Sequence, residues 1–554
     1  MATQTSEPLH HFIEDYVSHL YETNPTTATF DGIHIHDDHL EDLSRPALEH
    51  QVQDLSAFGR RLAAIRDGSL TAAERLERPI LKSSIESRIH ELETVRTWER
   101  QPAYYGDLLA TALAGQTLFG YASATERARR VLSKLRQVPR LFEAARANVT
   151  DPPGIFVKTG LETLRGVQQL IDRDLPKAFA EIDDLHLLGD LADASTLASD
   201  ALGGYIDDLE RDLGPRSKAS FRLGRSVLED RLRLEESIPT SSETLLAIAM
   251  RELHATQDEF RRVAATLGGG HPHEVWQAAK RQHPAPGALV DAARRQLDEL
   301  ETFIRRRGVV SLPGAAPVVV APTPSFFRWT FASMWTLGPF ETKATNAYYY
   351  ITDVEPSWSD ERKEEHLRDF CDPILWAISI HEVFPGHFVH FQHLRQVTTR
   401  LRKSLLFAPV SFVEGWAHYA EQMMVEAGFG EGNASIRLGQ LAESLIRLAR
   451  TVVGIRLHAD DMSVEQGVRF FREEAFLEEG SARREAERGT FDPSYILYAI
   501  GKLMLLKLRA DCRAEEGKAF TLRRFHDRLL GNGLAPIAAH RQMLLGEHPG
   551  ALIE

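Results

Sequence analysis

The sequence predicts a mainly α, large, two-lobed helical fold with a central cleft and one small β-sheet near residues 315–352. Three observations carry this expectation. Apolar residues recur at helical spacing, broken by turn signals, from Leu9 to about Gly308. Composition then shifts between Gly308 and Tyr350, where Pro313, Pro317, Pro322, Pro324 and Pro339 punctuate two β-rich pieces, Val318-Val319-Val320 and Tyr348 through Thr352. Finally, 554 residues exceed the size at which a single core stops growing. The expected division is a helical lobe over 1–308 and a second lobe over 309–554 that holds the sheet, or one continuous divided fold.

The clearest helix has Leu289, Ala293, Leu297, Leu300 and Ile304 on one stripe between Pro286-Gly287 and Gly308. Others are expected around 70–100, 105–121, 125–148, 160–175, 216–236 and 241–267, with breaks at Asp151-Pro152-Pro153-Gly154 and Gly268-Gly269-Gly270. Farther on, Asp372 suits an N-cap and Pro373 a first helical position. Ile374, Ala377, Ile378 and His381 then share a face, so His381 projects from the buried side.

Charge and composition exclude several classes. A net charge of −14 offers no continuous positive surface to a phosphate backbone, so nucleic acid is not an expected partner. Met1 to Tyr16 carries acidic residues and histidines in place of a basic region and apolar core, so no signal peptide is expected. No apolar run approaches the ~18 residues of a membrane span. Cys371 and Cys512 provide no disulfide framework, which makes a cytoplasmic location the expectation.

Two stretches resemble metal sites. His34-Ile35-His36-Asp37-Asp38-His39 fits an H-x-H-x-D-H ligand string, but that string belongs after a strand in a β-rich sandwich. In a helical setting it is expected to be a polar surface turn. The second, His381-Glu382-Val383-Phe384-Pro385-Gly386-His387, is the zinc pattern H-E-x-x-H lengthened by two residues. In an unbroken helix His387 would lie about 120° around the axis from His381 and share no ion with it. Pro385 breaks the ladder at the carbonyl of His381, and Gly386 takes up the distortion. The Pro-Gly pair is therefore expected to swing His387 back toward His381. His390 and His393 are alternative ligands if the break turns differently.

Twenty-seven residues after His387, Glu414, His418 and Glu421 fall at i, i+4 and i+7 on an otherwise apolar helix. Buried carboxylates need partners. A Zn2+ ion held by His381, His387 and Glu414, with a fourth position left for water, would meet that need. The competing arrangement is a buried arginine network using Arg447 and Arg450.

With Glu414-Gly415-Trp416-Ala417, Tyr419 and Glu421, and with Phe491-Asp492-Pro493 through Tyr498 to Gly501-Lys502, the stretched motif resembles the bacterial domain-of-unknown-function family eight-eight-five, grouped with gluzincin-like zinc metallopeptidases. The resemblance covers nearly the whole chain. It implies a metallopeptidase-like fold, zinc on His381, His387 and Glu414, and Glu382 as general base. A donor for the oxyanion is expected from Tyr498, or else from Tyr495 or His458, and Glu421 and His418 are expected to orient a ligand histidine. The expected substrate is a short peptide or peptide-like molecule. The alternatives are a binding protein with a structural or vestigial metal and a hydrolase of a non-peptide amide.

Overall fold

The computed structural model describes residues 8–268, 270–314, 317–324, 332–546 and 550–554. Among these residues the chain is mainly α, with three short strands in one sheet. By compactness it divides into one unit of Met1–Phe221, Leu337–Thr345 and Thr398–Phe407, and another of Arg222–Thr336, Asn346–Val397 and Ala408–Glu554. The expected boundary at 308 falls inside the second unit. The Leu289–Arg307 helix buries Leu297, Leu300 and Ile304 in the same core as Tyr349 and Trp416, so Gly308 ends a helix and not a domain.

In the first unit, local chemistry explains where helices start and stop. The helix expected over 70–100 opens with a capping box between Thr71 and Glu74 and runs Ala72–His90. It then widens into a π turn, Glu91–Val95, and breaks at Arg96, where φ is 54°. The helix expected over 125–148 is two helices, Ala124–Leu135 and Val138–Asn148, because Pro139 suits the start of a helix and not its interior. Leu185–Asp208, a helix outside those expected, buries a regular stripe of Leu187, Leu191, Ala194, Ala198, Leu202 and Tyr205.

The histidine string at 34–39 is a short turn of this unit. His34 lies 3.0 Å from Asp37 and 2.8 Å from Glu341, and its ring stacks on Tyr121. Both ring nitrogens face carboxylates, so the string staples the Leu337–Thr345 segment and holds no metal-like grouping among the described residues.

In the second unit the strands are β1 (Val318–Pro322), β2 (Ala332–Trp335) and β3 (Ala347–Ile351), in the order β1-β3-β2. β1 runs parallel to β3 with Val318 opposite Ala347, and β2 runs antiparallel with Trp335 opposite Tyr348. Val320, Ala347, Tyr349 and Ile351 turn into the core. The Tyr349 hydroxyl lies 3.3 Å from Ser379 Oγ, which donates to Gln296, so the sheet is tied to the Asp372–Glu382 helix. The helix expected over 216–236 is continuous only over Arg225–Glu236.

Candidate metal centre

Cys371, not Asp372, occupies the N-cap of the Asp372–Glu382 helix, and Asp372 and Pro373 form its first turn. His381, 6% exposed, projects from the face that also buries Ile374 and Ala377. The helix stops at Glu382. The Phe384–Pro385 peptide is cis, the Gly386 N–H donates to the Ile380 carbonyl at 2.9 Å, and a second helix, His387–Leu394, follows at once. A Cβ on Gly386 would lie 1.7 Å from the carbonyl oxygen of His381, so only glycine fits there. Through this turn the His381 and His387 rings meet, with centroids 4.9 Å apart and planes at 86°.

Glu414 comes from the Val410–Glu426 helix. That helix crosses the Leu497–Glu516 helix backbone against backbone: a Cβ on Gly501 would stand 1.9 Å from the Ser411 carbonyl oxygen. Glu414 Oε2 lies 3.3 Å from His381 Nε2 and 3.5 Å from His387 Nε2. One donor atom from each of the three residues falls within 4.8 Å of the others, a grouping able to hold a metal ion and the one of its kind among the described residues. Glu414 Oε2 is buried and has no hydrogen-bond partner. A buried carboxylate oxygen that faces two imidazole nitrogens without an aligned hydrogen bond is costly, and two imidazole nitrogens with one carboxylate oxygen are a zinc donor set, so the residues fit that ion.

Behind the three residues lies a buried polar layer. Glu421, fully buried, is 2.8 Å from His381 Nδ1, 3.1 Å from His418 Nδ1 and 3.4 Å from Arg447 Nη2. This orients His381 with Nδ1–H toward Glu421 and Nε2 toward Glu414. Burial opposes charge on Glu421, but Arg447, His418 and His381 outweigh it and hold the carboxyl well below the ordinary range. Burial also disfavours the His381 imidazolium, yet Glu414 and Glu421 together push its pKa up to about 9. Arg447 also pairs with Glu443, and Arg450 grips Glu485 through bonds of 2.6 and 2.7 Å. The arginine network weighed against a metal site thus coexists with the three-residue grouping.

The remaining sequence candidates separate clearly. Burial pushes the Glu382 carboxyl up while His381 and His387 pull it down, and the Met334 N–H of β2 hydrogen-bonds it. The half-buried Tyr498 ring lies nearly parallel to that of His381, at 6.4 Å and 11°, with the Arg450 and Arg488 guanidiniums 5.4 and 5.9 Å from it. Burial, then the Glu414 charge, push its phenol up to about 12, so it stays a neutral O–H donor. Tyr495 is fully buried against Gly454 and Gly489. His458 accepts the Leu223 N–H at Nδ1 and lies 2.8 Å from the Gly489 carbonyl at Nε2. Both nitrogens are thereby engaged by backbone, which leaves His458 no N–H for a substrate. Of the alternative ligands, His390 is enclosed beside Phe391 and Phe412, and His393 bonds the Ser311 carbonyl.

Trp416 carries a contact that residue types do not announce. Two residues beyond Glu414 and fully buried, it donates its indole N–H to the Pro385 carbonyl at 3.0 Å, with the Gly386 carbonyl at 3.3 Å. Its partners are main-chain atoms, so the only signal in the sequence is its place within the Glu414-Gly415-Trp416-Ala417 motif.

Comparison with known proteins gives three findings. A family described as "Bacterial protein of unknown function (DUF885)" matches residues 25–544. No curated protein matches the chain. Two solved structures share the fold. A "putative lipoprotein of unknown function" from Shewanella oneidensis is 24% identical with a TM-score of 0.79, over 97% of this chain and 100% of that one. A "putative lipoprotein" from Colwellia psychrerythraea is 17% identical with a TM-score of 0.80, over 96% and 98%.

Proposed function

The chain belongs to the bacterial family of unknown function DUF885, and from the centre it carries we propose that it is a zinc-dependent hydrolase, a metallopeptidase acting on short peptides. The observation that carries this reading is the buried Glu414 Oε2 set against two imidazole nitrogens without a hydrogen bond to either, with Glu382 next in sequence to one of them. His381, His387 and Glu414 would hold the zinc, which would supply a Lewis acid and lower the pKa of a water toward about 7. Glu382 is the base: its carboxylate takes the proton of the attacking water and delivers it to the leaving nitrogen. The Tyr498 hydroxyl donates to the substrate carbonyl oxygen as negative charge develops, a contribution of about 3 kcal/mol to the barrier. β2 favours a peptide over other amides, because among the described residues it is an edge strand beside Glu382, to which its Met334 N–H is bonded, and an edge strand can pair with an extended main chain. The outer side of β1, by contrast, is met at the Val320 carbonyl by Arg294, 3.2 Å away.

The test is metal analysis of protein purified without chelator, followed by a peptide-library digest with Glu382→Gln as control. One equivalent of zinc and cleavage that falls at least 100-fold in a variant still holding zinc is the expected result. Zinc below a few tenths of an equivalent would point to a binding protein, and unchanged cleavage by the variant would remove Glu382 as base.

For location, no helix among the described residues is long and apolar enough to cross a membrane. The two free, buried cysteines favour the cytoplasm, whereas the lipoprotein descriptions of the two structural neighbours favour attachment to a membrane. Cell fractionation separates these two readings.

A further inference from the structure

We propose that Trp416 is a positioning residue: its indole N–H holds the Pro385-Gly386 turn so that His387 faces His381 and Glu414. The inference rests on the metal-site reading above and assigns a cause to the site's geometry. His387 opens its helix directly after a turn whose Pro385 has no N–H to anchor it. The turn's other end is held by the Gly386 N–H on the Ile380 carbonyl. The Pro385 carbonyl accepts a hydrogen bond from the indole N–H, and the indole belongs to the helix that carries Glu414. A single side chain therefore ties the turn that delivers one ligand to the helix that delivers another.

The indole itself is held in place. Its ring meets His526 edge to face at 5.3 Å and lies 5.7 Å from Tyr419. His526 Nδ1 is 2.7 Å from the Val309 carbonyl, so Nδ1 carries the proton and Nε2 accepts the Tyr419 hydroxyl at 2.8 Å. Arg509 donates to that hydroxyl at 3.3 Å. This hydrogen-bonded backing, anchored on main chain, fixes the angle at which the N–H reaches the turn. A tryptophan kept only for its volume needs no such aim.

The test compares wild-type protein with Trp416→Phe and with a protein carrying β-(3-benzothienyl)alanine at 416, which keeps the ring's size and loses only the N–H. Zinc affinity by chelator competition, the visible spectrum of the cobalt-loaded protein and melting in excess chelator are measured for each. The benzothienyl protein is expected to bind zinc 10- to 100-fold more weakly and to shift the cobalt bands, and to lose less melting temperature in chelator than with zinc. Wild-type affinity and an unchanged cobalt spectrum in that protein would overturn the assignment and leave the metal site standing. An equal loss of melting temperature with and without zinc would also overturn it, marking Trp416 as a general core residue. Wild-type protein that binds neither zinc nor cobalt would overturn this inference and the metal reading together.

Discussion

Gly386→Ala puts the geometry of the Pro385-Gly386 turn under direct test. The added methyl would stand 1.7 Å from the His381 carbonyl oxygen, 2.4 Å from its carbonyl carbon and 2.5 Å from the Ile380 carbonyl oxygen. All three neighbours are main chain, so no rotamer relieves the contact. The turn must open by more than an ångström, whereas metal ligands keep their distances within about 0.2 Å. Overpacking of this kind costs roughly 1–3 kcal/mol, of which about 0.4–1 kcal/mol is returned by the stiffer unfolded chain. The metal-free variant should therefore fold with a modestly lowered melting temperature. Its zinc affinity should fall by about 100-fold or more, equivalent to roughly 3 kcal/mol, because His387 loses its register with His381 and Glu414. Chelator competition measures the affinity, and circular dichroism in excess chelator measures the fold. Gly166→Ala is the control, since its Cβ meets nothing within 4 Å and alanine is the better helix former. Wild-type zinc affinity in Gly386→Ala would refute the reasoning that this turn brings the histidines together.

Two further outcomes are expected. Tyr498→Phe should lower kcat on a peptide substrate by about 100-fold at unchanged zinc content, as loss of an oxyanion donor does, with steady-state kinetics as the measure. Glu236 is buried and accepts the Val410 and Ser411 N–H groups at the start of the Glu414 helix, and burial pushes its carboxyl up to about 7. A carboxyl whose folded pKa is raised stays protonated in the fold while the unfolded chain ionises, so its stabilising contribution is full below about 4.5 and is lost as pH rises to about 7. That loss is at most roughly 3 kcal/mol. Glu236→Gln should flatten this part of the profile, and denaturant titrations at pH 5 and 7.5 that show the same slope for both proteins would count against it.

Much of the candidate site's geometry was legible because it is local. The Pro385-Gly386 break and the stripe of Glu414, His418 and Glu421 each sit within a few consecutive residues, where periodicity and backbone chemistry speak directly. The regular stripe of Leu289–Arg307 was legible for the same reason. The break at Arg96 and the split at Pro139 were missed because each interrupts a stripe that otherwise runs on. Single-residue cap positions, such as Cys371 in place of Asp372, depend on where the chain arrives from.

By itself the sequence determined a mainly α chain with one small sheet, a helix that must stop before His387, and a set of residues whose chemistry suits zinc. Only the tertiary structure decided that the chain turns so that His387, and not His390 or His393, meets His381. It also decided that Tyr498 lies beside His381 while Tyr495 and His458 are spent on packing and backbone bonds. The physical reason is that these outcomes depend on segments far apart in sequence and on main-chain atoms. The crossing at Gly415 and Gly501 needs residues without a side chain and the indole bond ends on a main-chain carbonyl, so neither names its distant partner in the sequence.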